Sequence, residues 1–400
     1  MFEKKVQPCD SFTAAYNVLI FAGYYKLLNR KKGFIWMCHQ LYRCFALTVV
    51  VLYNAAHIIF IIQSRNSLSD MLDCTMLEIP HMNLLVKVFT LNFHIQKVDK
   101  INRLLKDPIF APITKKDEEM LLGTTRLMHL WIKLSKICIT MITPIWFTSF
   151  LVKRYQDPTA IVSAYTPYET DSWEGFIYSV IQEVLPILWT GYGHLALDCL
   201  IVTYYAQAEV QLKMIKYNLE HLFDVTEGTE YCRDYGLSGL YRDVLDDGLR
   251  SRFIHYVRRY EAVAWYVKEV GNVFNTAVSF QFFSSSATLC IITYEMSSTP
   301  VVSVPFAFLA MVLIIILMQV FIYCYFGNMV QCESDSVITS IYLSDWLSAS
   351  PQLRRLVLIA MIRWSRSLTP RVSGIIPMSL ATYVSILRSA YSLFAVLSTK

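Results

Sequence analysis

From Val301 to Phe326 the chain offers almost nothing to water, and the stretch from Phe306 to Met318 is apolar throughout. About twenty such residues wound as a helix cross the hydrocarbon of a bilayer, where an open strand or loop leaves its backbone unsatisfied. The run recurs. Apolar windows give seven candidate spans, starting near Gln40, Thr75, Trp131, Phe176, Asn272, Val301 and Ser373. With 55% hydrophobic and 17% charged residues, the 400-residue chain is too apolar for a soluble domain of its size. The predicted fold is all-α, a polytopic membrane protein with seven transmembrane helices. The second span is the exception in composition, because Glu78, His81, Asn83, Lys87, Asn92 and His94 punctuate it. Such a helix faces protein or water, not lipid.

Basic residues orient the bundle. The segment before the first span carries Lys4, Lys5, Lys26, Arg30, Lys31 and Lys32, and the second-to-third connection carries Lys97, Lys100, Arg103, Lys106, Lys115, Lys116 and Arg126. Across all loops on that side there are 27 lysines and arginines, against four on the other: Arg65, Lys153, Arg154 and Lys400. Positive charge stays in the cytoplasm, so the N-terminus is predicted cytoplasmic and the C-terminus extracellular. The apolar stretch from Phe12 to Tyr25 has no small-residue cleavage pattern and is expected to remain on the mature protein.

The chain then divides into a cytoplasmic N-terminal segment (1–39), helices one to four (40–206), a cytoplasmic helical extension (207–271), helices five and six (272–326), a second cytoplasmic segment (327–372) and the last helix (373–400). Within the extension, Val210, Leu212, Ile215, Leu219 and Leu222 recur at helical spacing. A polar turn over 227–239 precedes a second run from Leu240 to Val270, whose Phe253, Tyr256, Tyr260 and Trp265 suit either a subunit interface or packing within one chain.

No catalytic pattern is present: there is no G-x-S-x-G, H-E-x-x-H, Walker loop or G-x-G-x-x-G. An enzyme, a cofactor and a nucleic-acid partner are therefore not expected. The ten cysteines include no C-x-x-C pair, and His194 with Asp198, one turn apart in the fourth span, reads as a hydrogen-bonded pair, two ligands being too few for a metal site. Glu78 and Glu183 fall near the outer ends of their spans and are expected to be hydrated. Aromatics crowd that side. Those turned inward (Trp146, Tyr178, Phe308), together with Met82, Leu85, Met141 and Ile145, are candidate walls of an apolar cavity for a small volatile ligand.

The stretch FIYCYFGNMVQCES from Phe321 to Ser334 resembles the end of the sixth span in insect odorant receptors. Tyr342, Trp346, Arg354-Arg355, the MIR of Met361 to Arg363, Pro370, Gly374 and the closing ATYVSILRSAYSLF of Ala381 to Phe394 follow in that family's order. Arg388 stands where a lysine is usual, and Ser365 to Leu368 is more polar than the family's context. The resemblance implies an odorant-gated nonselective cation channel in the cell membrane of olfactory neuron dendrites. It also implies a heterotetramer with a co-receptor, embedded in lipid, this chain being the odorant-tuned subunit. The ligand would sit in the outer half, between the second, third, fourth and sixth spans, and the last span would line the pore. A gustatory receptor shares that architecture and is the alternative. A G-protein-coupled receptor would place its N-terminus outside. On the last span, Tyr391, Phe394 and Leu397 or Ser398 share one helical stripe and are candidates for an apolar gate, with Arg388 further inward on the aqueous path or against a neighbouring subunit.

Overall fold

The computed structural model describes residues 7–27, 33–64, 67–156, 165, 166, 168, 172–224 and 240–398. The turn expected over 227–239 and the basic residues Lys4, Lys5, Arg30, Lys31, Lys32, Arg65 and Lys400 lie outside the described residues. In chain order the α-helices are α1 (Thr13–Phe21), α2 (Phe34–Gln63), α3 (Leu68–Phe93), α4 (Ile95–Leu104), α5 (Lys115–Gln156), α6 (Trp173–Glu220), α7 (Leu240–Ser298), α8 (Val304–Leu343), α9 (Pro351–Trp364) and α10 (Leu380–Ser398). Among the described residues the only strands are β1 (Arg371–Val372) and β2 (Ile376–Pro377), an antiparallel pair with Arg371 opposite Pro377.

Among the described residues, five helices are long and apolar enough to cross a membrane: α2, α5, α6, α8 and the Asp246–Ser298 part of α7. The 26 residues of α3 also reach across a bilayer core, at about 1.5 Å per residue. Of its polar residues, Glu78, His81, Asn83 and Lys87 are all buried in the bundle. The 59 residues of α7 extend to roughly 90 Å, about three times the bilayer's apolar thickness. The parts of α6 and α7 beyond that length carry basic residues such as Lys213, Lys216, Arg258 and Arg259, and they continue the apolar segments of these helices without a break.

That end holds the largest core. Tyr204, Tyr260, Tyr266 and Trp364 are buried there, with Phe253 and Tyr260 packed against Trp364. Arg259 is wholly enclosed and donates from Nε and from a terminal nitrogen to Gln211 Oε1 at 3.0 and 2.7 Å. The N-terminal segment is part of this core as well. Phe12, Tyr16, Leu19, Tyr24 and Tyr25 are buried, and the hydroxyls of Tyr16 and Tyr204 lie 2.8 Å apart. A Cβ on Gly193 would stand 2.0 Å from the Tyr24 ring, so only glycine lets this segment seat against α6.

Several boundaries differ from the sequence expectation, among them the second and third spanning helices, which begin at Leu68 instead of Thr75 and at Lys115 instead of Trp131. The first spanning helix begins at Phe34 instead of Gln40. The last begins at Leu380 instead of Ser373, because the preceding residues form the β1–β2 hairpin, whose turn holds Ser373 and Gly374 at φ of 52° and 70°. An apolar window does not separate a helix from a hairpin of similar composition.

Candidate functional site

Away from the basic end, three neighbouring helices carry an interior proline: Pro80 in α3, Pro144 in α5 and Pro186 in α6. Each removes a backbone hydrogen bond and crowds the carbonyl one turn earlier. Beside them lies a cavity of about 190 Å³. Its walls come from α3 (Met76, Leu77, Pro80, His81, Leu84), α5 (Ile139, Thr143, Trp146), α6 (Ile187, Thr190, Gly191, His194, Leu195) and α8 (Phe308, Val312, Ile315, Ile316, Gln319). Each set recurs every three or four residues, so one face of each helix looks inward. The rings of Trp146 and Phe308 stack at 6.4 Å between centroids.

Two polar clusters adjoin this apolar space. At one, His57 places Nδ1 3.2 Å from Glu78 Oε2 and Nε2 3.2 Å from both oxygens of Glu183, while the Tyr53 hydroxyl donates to Glu183 Oε2 at 2.8 Å. His81, from the cavity wall, packs 4.8 Å from the Tyr53 ring centroid. The hydrated glutamates expected from the sequence are thus enclosed: Glu78 and Glu183 are buried and bonded to protein. At the other cluster, Lys87 Nζ donates to Asp198 Oδ1, to Gln281 Oε1 and, at 3.2 Å, to His194 Nε2. Tyr323 donates to the same Asp198 oxygen at 2.7 Å, and Asn83 to Gln281 Oε1 at 2.6 Å. His194 and Asp198 stand together in this larger group, Nε2 3.3 Å from Oδ2, but the hydrogen bond expected within the pair is not formed: Oδ2 has no hydrogen-bond partner among the described residues, and Nε2 faces Lys87 instead. Among the described residues no set of three His, Cys, Asp or Glu side chains is placed to hold a metal ion.

Of the sequence-predicted wall residues, the structure brings Trp146 and Phe308 together at the cavity. Met82 and Leu85 lie one position beyond His81 and Leu84, which line it. Met141 is 60% exposed and Tyr178 65% exposed, both on outward faces, and Ile145 precedes the inward Trp146. A helix turns about 100° per residue, so a one-residue error in register leaves the wall. As wall residues, His81, Thr143, Thr190, His194 and Gln319 escaped the sequence reading, which sought apolar walls. The interior prolines, neighbours of Thr143, Ile187 and His81, were the available signal. On α10, Arg388 and Tyr391 lie on the exposed face, whereas the side chains of Phe394, Leu397 and Ser398 lie outside the described residues.

The fold and its long apolar helices define a multi-pass, all-helical membrane protein. The family model described as 7tm Odorant receptor matches residues 67–391, and the chain belongs to that family, one of receptors and not of enzymes. It is similar to putative odorant receptor 19b of Drosophila melanogaster, 23% identical over 150 residues, which is 38% of this chain and 39% of that protein. It is also similar to the odorant receptor coreceptor of Aedes aegypti, 26% identical over 149 residues, 37% of this chain and 31% of that one. The aligned part therefore spans well under half of these curated relatives. The olfactory receptor OR5 from Machilis hrabei has a similar fold, with a TM-score of 0.80 at 15% identity and 96% of each chain covered. The same receptor solved with eugenol gives 0.78 at 14% identity, covering 96% of this chain and 97% of that one.

Proposed function

We propose that the chain is the odorant-binding subunit of a ligand-gated, nonselective cation channel, assembled with a co-receptor. A small volatile ligand occupies the cavity bounded by α3, α5, α6 and α8, and the last helix lines the pore. One observation carries this reading. The cavity-wall residues Met76, Phe308, Val312 and Ile316 belong to a single apolar cluster that also includes Ile386 and Ala390 of α10. A ligand that moves the wall therefore pushes on packed side chains that touch the last helix, and close-packed interfaces shift between discrete arrangements instead of deforming smoothly. The opposite face of α10, with Val384, Ser385, Arg388, Tyr391 and Ser392, is exposed in the single chain and free to meet other subunits around an aqueous path.

Burial of each ligand CH₂ contributes about 0.8 kcal/mol, so affinity is moderate and discrimination between similar carbon skeletons gradual. The test is to express the chain in cells with and without a co-receptor and record currents to an odorant panel. Currents that need both chains, and half-maximal concentrations that shift about tenfold or more in Trp146→Ala and Phe308→Ala at normal surface expression, support the reading. Unchanged dose-response curves in both variants move the ligand elsewhere.

A further inference from the structure

Two histidines set into the cavity wall have hydrogen-bonding roles fixed by their other partners. His81 is 7% exposed, and its Nδ1 lies 2.5 Å from the carbonyl oxygen of Leu77. A carbonyl only accepts, so Nδ1 carries the proton and the neutral ring presents Nε2 as a bare acceptor. Nε2 has no hydrogen-bond partner among the described residues. His194, 9% exposed, has the opposite polarity. Lys87 is an ammonium with three protons to donate, and its three acceptors are Asp198 Oδ1, Gln281 Oε1 and His194 Nε2. Nε2 of His194 therefore accepts, and the ring proton sits on Nδ1, which has no partner among the described residues.

Both histidines line one largely apolar space. His81 and Lys87 are six residues apart on α3, about 9 Å along its axis, and His194 stands beside Lys87. The walls between them are largely hydrocarbon and include Trp146 and Phe308; the hydroxyls of Thr143 and Thr190 donate to carbonyls of their own helices, which leaves Gln319 as the other polar wall residue. As for size, an apolar cavity of about 150 Å³ holds benzene, and this one, at about 190 Å³, leaves room for a ring with two short substituents.

Resting on the ligand cavity proposed above, we infer that it selects small odorants with a hydroxyl at one end and an acceptor oxygen at the other. The hydroxyl donates to His81 Nε2, and an ether or carbonyl oxygen accepts from His194 Nδ1. Each group left unmet in a buried complex keeps the desolvation cost of an unpaired polar atom, so the match is selective where the apolar walls are not.

Four para-substituted benzenes of equal heavy-atom number separate the two contacts: 4-methoxyphenol, 4-ethylphenol, 4-methylanisole and 4-ethyltoluene. Their dissociation constants for the full-length chain in detergent are read from the concentration dependence of thermal stabilisation. We expect 4-methoxyphenol to bind most tightly, with about a tenfold loss on replacing either polar group. In His81→Leu the gap between hydroxyl and methyl compounds closes while the methoxy-to-ethyl gap persists. His194→Leu gives the converse, and if it fails to fold, the His81→Leu arm alone decides. A hydroxyl gap that is absent from the wild type, or unchanged in His81→Leu, overturns the inference. If Trp146→Ala then weakens all four compounds alike, the cavity reading stands without it. Stabilisation by none of the four in the wild type removes both.

Discussion

Lys87 of α3 and Asp198 of α6 form an ion pair in the interior of the bundle, 1% and 5% exposed, and the same two side chains bond Gln281 of α7 and Tyr323 of α8. The pair thus ties four helices together beside the cavity. Removing one partner of a buried pair leaves the other charge unpaired, which costs about 3–5 kcal/mol, and a membrane interior offers little water to relieve it. Lys87→Met and Asp198→Leu are each expected to lower the thermal midpoint and the surface level sharply, whereas the double variant recovers part of the loss. Thermal denaturation in detergent with surface biotinylation measures this. A wild-type midpoint in either single variant would show that the pair does not hold the bundle.

The polar cluster also marks where the sequence stops being informative. His194 and Asp198 were legible together because they sit one turn apart on the same helix, but Lys87 is 107 residues away from His194. Only tertiary packing shows that it completes the group. The spans and the crowding of polar residues into α3 follow from bilayer physics and could be read directly. Helix register could not, as Met82 beside His81 and Leu85 beside Leu84 illustrate, because an apolar residue satisfies lipid and cavity equally well. The displaced start of α10 was recoverable in principle: Pro370, Gly374 and Pro377 within eight residues are turn signals inside an apolar window.

Gly327 of α8 touches the segment that leads into the last helix. A Cβ there would lie 2.4 Å from the Met378 Cβ and 2.5 Å from its carbonyl oxygen, and a backbone atom cannot swing aside as a side-chain end can. Gly327→Ala should therefore displace the start of α10. A loss of about 1–3 kcal/mol is expected from overpacking, with a changed resting open probability in the assembled channel. Wild-type stability and gating together would place the α8 to α10 coupling elsewhere.

The division of basic residues predicts which end of the bundle faces the cytoplasm. An epitope tag at the N-terminus should be labelled only after permeabilisation, and one at the C-terminus on intact cells. Labelling of the N-terminal tag on intact cells would invert the bundle and put the cavity on the wrong side for an external odorant.

On α10, Ile386 and Ala390 pack inward against the cluster shared with the cavity, while Val384 is 43% exposed and Tyr391 72% exposed on the opposite side. Phe394 and Leu397 follow Ala390 by four and seven residues, so their backbone positions lie nearer the face of Ile386 and Ala390 than that of Val384 and Arg388, in a stripe that borders Tyr391 toward the end proposed to face outward. Four copies of such a stripe around an axis make an apolar ring narrow enough to exclude water, and ions do not cross a dry constriction. Arg388, one turn before Tyr391 on the exposed face, disfavours cations wherever it meets the path, so it belongs in a wider vestibule or beside an acidic group of a neighbouring subunit. Phe394→Ser and Leu397→Ser should wet the ring and raise resting current several-fold, and Arg388→Gln should increase cation conductance without that leak. Resting current and permeability ratios in cells that also express the co-receptor are the measurements. Wild-type leak in both serine variants, at normal surface levels, would assign the constriction to other residues of the pore.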